Sequence, residues 1–394
     1  LTIDLELQRY ISQLLTGQKG SVVVMDPKDS SILAMVSSPS YDNNLFVGGI
    51  SSDNYQRLLN DPSRPLYNRT IQGAYPPAST VKPFVAVSAL TEGAVAPNTT
   101  IFDPGYWILP NSTKRFRDWK KSGHGYTDLN KAIVESSDTF FYQVAFKMGI
   151  DNLSSWMQQF GFGIKTNIDI QEETPGIMPT REWKQKRYKK PWLQGDTIPV
   201  GIGQGYWTAT PLQLAKATTI LVNNGKVNTP HLMKEMVGSA VEKYQDPRTY
   251  PDIIKPRKEF WNLAKRGMFG VIHSSQGTGR KAFAGANYLA AGKSGTAQVF
   301  GLKENQTYNA GVLKKELHDH AWFIAYAPYE NPELVIAIIL ENAGGGSSNA
   351  APVVRQIMDY YLLQRLPQIA VLQSNTKKSA VENSTKITEQ GALR

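Results

Sequence analysis

Tyr75-Pro-Pro-Ala-Ser-Thr-Val-Lys-Pro-Phe84 is the stretch around which the rest of the chain is read. A residue before proline is pushed toward extended geometry, so Tyr75 to Pro77 cannot be helical. From Thr80 to Leu90 the residues are apolar enough for a buried helix. Pro83 is tolerated because it falls in the first turn, where few N–H groups have partners. Gly93, after Glu92, supplies a glycine stop. The spacing therefore predicts Ser79 at the start of a helix and Lys82 one turn on, on the same face. That pairing suits nucleophilic catalysis. A serine hydroxyl is weak until a nearby base takes its proton, and a lysine whose ammonium is disfavoured by burial can be that base. The helix N-terminus favours negative charge developing beside Ser79.

The chain has 394 residues, 41% hydrophobic and 19% charged, which is a globular composition large enough for a substantial core. Without cysteine there are no disulfides and no thiolate chemistry. No run of about 18 apolar residues is present, so no membrane-spanning helix is expected. The chain opens at Leu1 without an initiator Met or a leader, and is read as a piece that lacks an N-terminal part. A net charge of +10 permits anionic partners. The densest basic run, Lys184 to Lys190, is expected to be a solvated loop, and no nucleic-acid motif accompanies it.

Working outward, Thr2 to Leu15 reads as an amphipathic helix, and Gly20 to Asp26 with Ile32 to Val36 as a hairpin. Ser37 to Asn68 reads as an irregular excursion. Ala94 to Tyr126 is polar and glycine-bearing. Thr127-Asp128 caps a helical block that Ser136-Ser137-Asp138 interrupts before a helix to Met148 and another from Leu153 to Phe160. Thr210-Pro211 starts a helix through Val222. Tyr288 to Phe300, His320 to Ala327 and Leu334 to Leu340 read as strands, and Ala351 to Leu363 as a closing helix. The two strand groups, first and last, join most simply as one sheet. The fold class expected is α+β: a five-stranded antiparallel sheet covered by helices on both faces, with a mostly helical inserted part.

Two further elements bear on Ser79-x-x-Lys82. Ser136-x-Asp138 lies between helical segments, and Lys293-Ser294-Gly295-Thr296 lies in a strand. A strand lysine is ordinarily a solvated edge charge. In the order Ser-x-x-Lys, Ser-x-Asn/Asp, Lys-Ser/Thr-Gly, however, the three elements form the signature of penicillin-binding proteins and serine β-lactamases. The spacings, 57 residues from Ser79 to Ser136 and 157 from Ser136 to Lys293, suit a class B penicillin-binding transpeptidase domain. Thr180-Arg-Glu-Trp-Lys184, Gly203-Gln-Gly-Tyr-Trp-Thr-Ala-Thr-Pro211 and Asp319-His-Ala-Trp-Phe-Ile-Ala-Tyr-Ala-Pro328 resemble the elongation-specific members of rod-shaped Gram-negative bacteria. The resemblance covers roughly Leu1 to Leu363.

That resemblance implies one transpeptidase domain over residues 1–366, with the sheet part at about 1–37 and 286–366 and the helical insertion at about 70–230. Residues 367–394 are expected to be a disordered tail. It implies a membrane anchor and a pedestal preceding this chain, and a location on the periplasmic face of the inner membrane. Ser79 would be the nucleophile on the D-Ala-D-Ala end of a peptidoglycan stem peptide and Lys82 its base, with Ser136 the proton relay. Asp138, where many relatives have Asn, would hold Lys82 or the substrate. Lys293 would attract the terminal carboxylate, with Ser294 and Thr296 as donors and Gly295 allowing close approach, and Trp119 would line the cleft. β-Lactams would acylate Ser79. No cofactor is needed for catalysis, and the partners implied are a RodA-type glycan polymerase and an MreC-type scaffold. A β-lactam sensor, a β-lactamase or a D,D-carboxypeptidase could share these motifs, although the deacylating glutamate of a β-lactamase is not identifiable.

Asp103, Asp118 and His124 are metal-ligand types within one loop region. Relatives carry a structural zinc there with cysteine as the fourth ligand, and Ser137 occupies that position here. His318 and His320 share a strand face but lack a third ligand nearby. Gly201-x-Gly203-x-Gly205 does not have dinucleotide-loop spacing and reads as a backbone loop near the cleft. Trp207 is expected in the core.

Overall fold

In the computed structural model, which describes residues 1–238, 241–299 and 313–372, both ends of the chain enter one sheet. Helix α1 (Leu5–Leu14) starts on Asp4, whose carboxylate accepts the N–H groups of Glu6 and Leu7, donors that a first turn leaves unpaired. β1 (Gly20–Met25) and β2 (Ile32–Ser38) form the expected hairpin. The excursion after it holds one unexpected helix, α2 (Ser52–Asn60), which starts at Ser51 and buries none of its residues. A helix without a buried stripe leaves little apolar period to read.

α3 (Lys82–Thr91) follows a 3-10 turn at Ala78–Val81 and is buried from Lys82 through Leu90. Next come four short strands: β3 (Thr100–Asp103), β4 (Tyr106–Ile108), β5 (Arg115–Arg117) and β6 (Gly125–Asp128). They pair as β3 with β6 and β4 with β5. α4 (Leu129–Val134) starts on Asp128 as expected. α5 (Asp138–Gln159) joins the two helices expected after it, broken at Gly149 by a φ of 70°. The basic run is not a loop. It lies largely in α6 (Arg181–Tyr188), where Lys184 is buried against Asp196 of α7 (Gln194–Val200), while Lys186, Arg187, Lys189 and Lys190 are exposed.

α8 (Pro211–Val222) has proline at its start and a reciprocal Thr210–Gln213 cap, and all of its residues are buried. The exposed hairpin of β7 (Glu235–Val237) and β8 (Val241–Lys243) and the helix α9 (Lys258–His273) are elements that the sequence reading leaves unassigned. The strand expected at Tyr288–Phe300 is β9 (Ala291–Ala297), and Phe300 lies outside the described residues. β10 (His320–Ala327), β11 (Leu334–Leu340) and α10 (Ala351–Tyr360) complete the chain order. Helical turns continue through residue 372, so the disorder expected from residue 367 does not begin there. Arg365 ties these turns to Asp4 at 2.7 Å, and Leu366 packs on the core. Residues 373–394 of the expected tail lie outside the described residues.

The sheet order is β2-β1-β11-β10-β9, antiparallel throughout. All residues of β1 and β11 are buried, which requires cover on both faces. α1 and α10 pack together, with Tyr10 stacked on Tyr360 at 4.2 Å. α8 packs on β1, β10 and β11, and α9 on β9. The architecture is α+β, as the strand grouping predicts. Among the described residues β9 is an edge strand, and one side of its backbone has no strand partner in the sheet. Among the described residues no helix is long and apolar enough to cross a membrane.

Candidate active site

The turn bearing Ser79 is held from three directions. Upstream, Tyr75 pairs with Ala209 through both backbone bonds (3.1 and 2.9 Å), and the Trp322 indole N–H donates to Pro76 O at 3.0 Å. The Tyr75 hydroxyl bonds Glu341, which pairs with buried Arg69 at 2.8 Å. From the side, Ala78 N–H donates to Gly203 O at 2.8 Å. Above, β9 crosses the turn so closely that a Cβ on Gly295 would lie 2.9 Å from Thr80 Cγ2 and 3.3 Å from Pro77 O. Ala78 has φ +51°, the left-handed region that costs an L-residue roughly 1–2 kcal/mol. Such strain persists only where the surroundings over-determine it. Ser79 is half-buried at the mouth of this turn.

Lys82 points inward and is fully buried. Its Nζ donates to Asp138 Oδ1 (2.7 Å) and Ser136 O (2.8 Å), and lies 3.2 Å from Ser136 Oγ. Lys293 on β9, also fully buried, donates to the same Ser136 Oγ at 2.9 Å and to Ser294 O at 2.9 Å. Two lysine amines thus converge on one hydroxyl. Ser136 is a second left-handed residue, φ +59°, on the tight link between α4 and α5. Burial, and then the Lys82 charge, push the Lys293 pKa well below that of an ordinary lysine. Burial pushes Asp138 up, against the pull of Lys82.

The start of α5 is fixed by a buried polar knot. Asp118 Oδ2 accepts the N–H groups of Asp138 (2.7 Å) and Thr139 (2.8 Å), two orphan donors of the first turn. Ser137 Oγ donates to Asp103 Oδ2 at 2.7 Å and accepts Phe140 N–H at 3.2 Å. His124 bridges Asp118 (3.2 Å) and Glu135 (2.9 Å) with its two ring nitrogens. Burial opposes the charge on His124, yet these carboxylates raise its pKa. Burial likewise opposes ionisation of Asp118. Hydrogen bonds from His124 and from Thr139 N–H, with the Lys82 charge, outweigh it and lower the pKa. One ligating atom from each of Asp103, Asp118 and His124 lies within 4.8 Å of the others, a spacing that could admit a metal ion. The fourth corner does not complete a zinc site. A thiolate would bring charge there, whereas Ser137 keeps its proton and spends it on Asp103.

Lys82, Ser136, Asp138, Lys293 and Ser294 are joined around one centre, and Gly295 lies against Thr80 and Pro77 of the turn that carries Ser79. Trp119 stands beside them, 59% exposed, with its indole N–H on Ser136 O at 3.1 Å. Trp207 is in the core against Phe162. His320 accepts Asn342 N–H on Nδ1 at 2.9 Å and packs against Tyr75. Two contributors go unnoticed in the sequence. Thr278 Oγ1 lies 2.9 Å from Ser294 Oγ, and Gln204 Nε2 donates to Thr296 O at 3.3 Å. Gly203, in the loop that the sequence reading sets near the cleft, backs Ala78. Thr278 is flanked by Gly277 and Gly279, a turn signal ahead of a strand that could have drawn attention to it.

Comparison with known proteins places this geometry. The family model for the penicillin binding protein transpeptidase domain matches residues 20–359. The chain is 74% identical over 369 residues to the peptidoglycan D,D-transpeptidase MrdA of Haemophilus influenzae, covering 94% of this chain and 57% of that protein. It therefore spans a little over half the length of that relative. The crystal structure of Pseudomonas aeruginosa PBP2 in complex with WCK 5153 is similar, with a TM-score of 0.84 and 44% identity over 92% of this chain and 75% of that one. So is PBP2 from Helicobacter pylori in its complex with MreC, with a TM-score of 0.80 and 33% identity over 92% and 64%. A Ser-x-x-Lys turn and helix, the Ser136 loop and a lysine-bearing edge strand, together with these matches, make the chain a member of the penicillin-binding protein transpeptidase family.

Proposed function

We propose that this chain is the catalytic part of a peptidoglycan D,D-transpeptidase, the activity for which its Haemophilus relative is named, and that it serves cell elongation. The observation that carries the reading is Ser136 Oγ lying 3.2 Å from Lys82 Nζ and 2.9 Å from Lys293 Nζ. One amine stands a helical turn beyond Ser79, the other on the strand that crosses it. Ser79 Oγ attacks the carbonyl carbon between the last two D-alanines of a stem peptide, and Lys82 takes the proton. The oxyanion meets the backbone N–H groups of Ser79 and Thr296, donors typically worth about 3 kcal/mol each. Ser136 passes a proton toward the departing amine and recovers it from Lys82. Asp138 orients Lys82 throughout. Lys293, disfavoured as an ammonium in the free site, regains its charge when the terminal carboxylate arrives. Ser294 and Thr296 donate to that carboxylate, and Gly295, lacking Cβ, admits the substrate backbone. Trp119 walls the cleft.

A labelled penicillin tests this reading. It is expected to form a stoichiometric, long-lived ester, with mass spectrometry placing the label on the peptide that contains Ser79. Label on another residue would overturn the assignment, and rapid release of label would move it to a hydrolase.

The same reading takes residues 1–366 as one transpeptidase domain at the periplasmic face of the inner membrane. Its partners are an MreC-type scaffold, like that in the Helicobacter pylori complex, and a RodA-type polymerase. Nucleic acid has no part in it. For zinc, two carboxylates, one imidazole and a neutral hydroxyl support only a weakly held ion. Protein purified without chelator is expected to carry well below about one zinc per chain, and Ser137→Cys to approach about one with a gain in Tm. Elemental analysis checks both, and stoichiometric zinc in the unsubstituted protein would refute the weak-site reading.

A further inference from the structure

Beside the proposed catalytic centre lies a cleft of about 720 Å³ whose walls come from three stretches of chain. Trp119, Lys120 and Glu135 precede α5, Thr278 and Lys281 follow α9, and Ser348 lies in the turn after β11. The cleft meets the centre at two places. On one wall Glu135 adjoins Ser136, and the Trp119 indole donates to Ser136 O. On the other, Thr278 touches Ser294. Ser294 is assigned above to the carboxylate of the terminal D-alanine, and Ser136 to protonating that residue's amine. The cleft therefore begins on the side from which D-alanine departs. By microscopic reversibility, an amine attacking the acyl-enzyme enters along the path the leaving amine takes.

The charge of the cleft says what kind of amine it suits. Glu135 is already engaged by His124 at 2.9 Å and by Lys120 at 3.8 Å. Lys281 is exposed on the opposite wall, and among the described residues it takes part in no ion pair. The uncompensated charge facing the cleft is thus positive, and a lysine ammonium is a point-charge anchor for carboxylate.

We infer that this cleft is the acceptor site, that it takes an acidic peptide bearing a primary amine, and that Lys281 binds a carboxylate of that peptide. The inference rests on the D,D-transpeptidase reading. In the step it serves, the acceptor nitrogen forms a bond to the acyl carbon and the C–Oγ bond to Ser79 breaks. The proton lost by the amine ends on Ser79 Oγ, reached through Ser136 and Lys82. Holding the acceptor there sets the competition between amine and water for the acyl-enzyme.

The test uses the purified protein, a stem pentapeptide ending in D-Ala-D-Ala as donor, and an amine-bearing stem peptide as acceptor. The acceptor is supplied with its side-chain carboxylate either free or as the carboxamide. Lys281→Gln is expected to raise the KM for the free-carboxylate acceptor about tenfold, with hydrolysis of the donor gaining at the expense of cross-linking. With the carboxamide acceptor, parent and variant are expected to coincide. Lys281→Arg should restore the parent KM, and penicillin should acylate Ser79 in each variant at the parent rate. Unchanged acceptor KM in Lys281→Gln would overturn the inference. So would slower penicillin acylation in step with it, since that would put Lys281 on the donor side. Failure of penicillin to label Ser79 in the unsubstituted protein would instead strike the underlying reading.

Discussion

Lys82→Met is expected to slow acylation of Ser79 by a labelled penicillin by about a thousandfold, the scale of a lost general base acting on a poor nucleophile. Lys82 is the amine carried by the turn and helix that carry Ser79. Lys293, the other amine near Ser136 Oγ, donates to Ser294 O from β9, and Asp138 reaches the centre through Lys82 itself. The substitution also leaves Asp138 buried beside Asp118 without its cation, and breaking a buried pair typically costs about 3–5 kcal/mol. The two effects separate in the double variant Lys82→Met with Asp138→Asn. Removing the lone charge is expected to recover most of the Tm while acylation stays slow. Stopped-flow labelling and thermal melts read the two quantities. If the double variant regained the rate together with the stability, Lys82 would be a structural cation and another group would deprotonate Ser79.

Much of this arrangement is legible from residue order alone, because the motifs lie where local rules are strong. A proline pair followed by an apolar run predicts the Ser79 turn and its helix, and Thr127-Asp128 predicts the start of α4. Strands at both ends of the chain with helices between predict one sheet, and the pairing of β1 with β11 is what joins the two groups. What escapes depends on long-range contact. α9 buries Phe260, Trp261, Ala264, Met268, Val271 and Ile272, a helical spacing that was there to be read, but no motif drew attention to it. Without it the wall of the cleft that carries Thr278 and Lys281 cannot be foreseen. α6 shows the opposite difficulty. Its charges suggest a solvated loop, and only the fold reveals that Lys184 turns inward to meet Asp196. The knot around His124 combines both problems. Its residues are close in sequence, but whether a proton or a metal joins them depends on the direction of one hydroxyl, Ser137.

Gly203→Ala is expected to abolish most activity without touching any group that does chemistry. Gly203 has φ +72°, and a Cβ there would stand 2.3 Å from Ala78 O, 2.7 Å from Ala78 N and 2.9 Å from Ala78 C. All three are backbone atoms, so no side chain can swing aside. Ala78 precedes Ser79 and is itself held in the left-handed region by its bond to Gly203 O. Relief must therefore come from moving the turn, and with it Ser79 Oγ and the Ser79 N–H proposed for the oxyanion. Displacing a reacting atom by about 1 Å costs on the order of a hundredfold in rate. We expect at least that loss in penicillin acylation, with a fall in stability of about 1–3 kcal/mol. Gly205→Ala is the matched control. Its φ is +75°, so the backbone penalty is similar, but the nearest atom to the new Cβ is Pro199 Cγ at 3.3 Å, a side chain away from the Ser79 turn. That variant should lose stability on the same scale and keep acylation near the parent rate. Equal acylation by the two variants would mean that Ser79 is positioned by α3 alone, and that the close approach of Gly203 to Ala78 serves packing rather than catalysis.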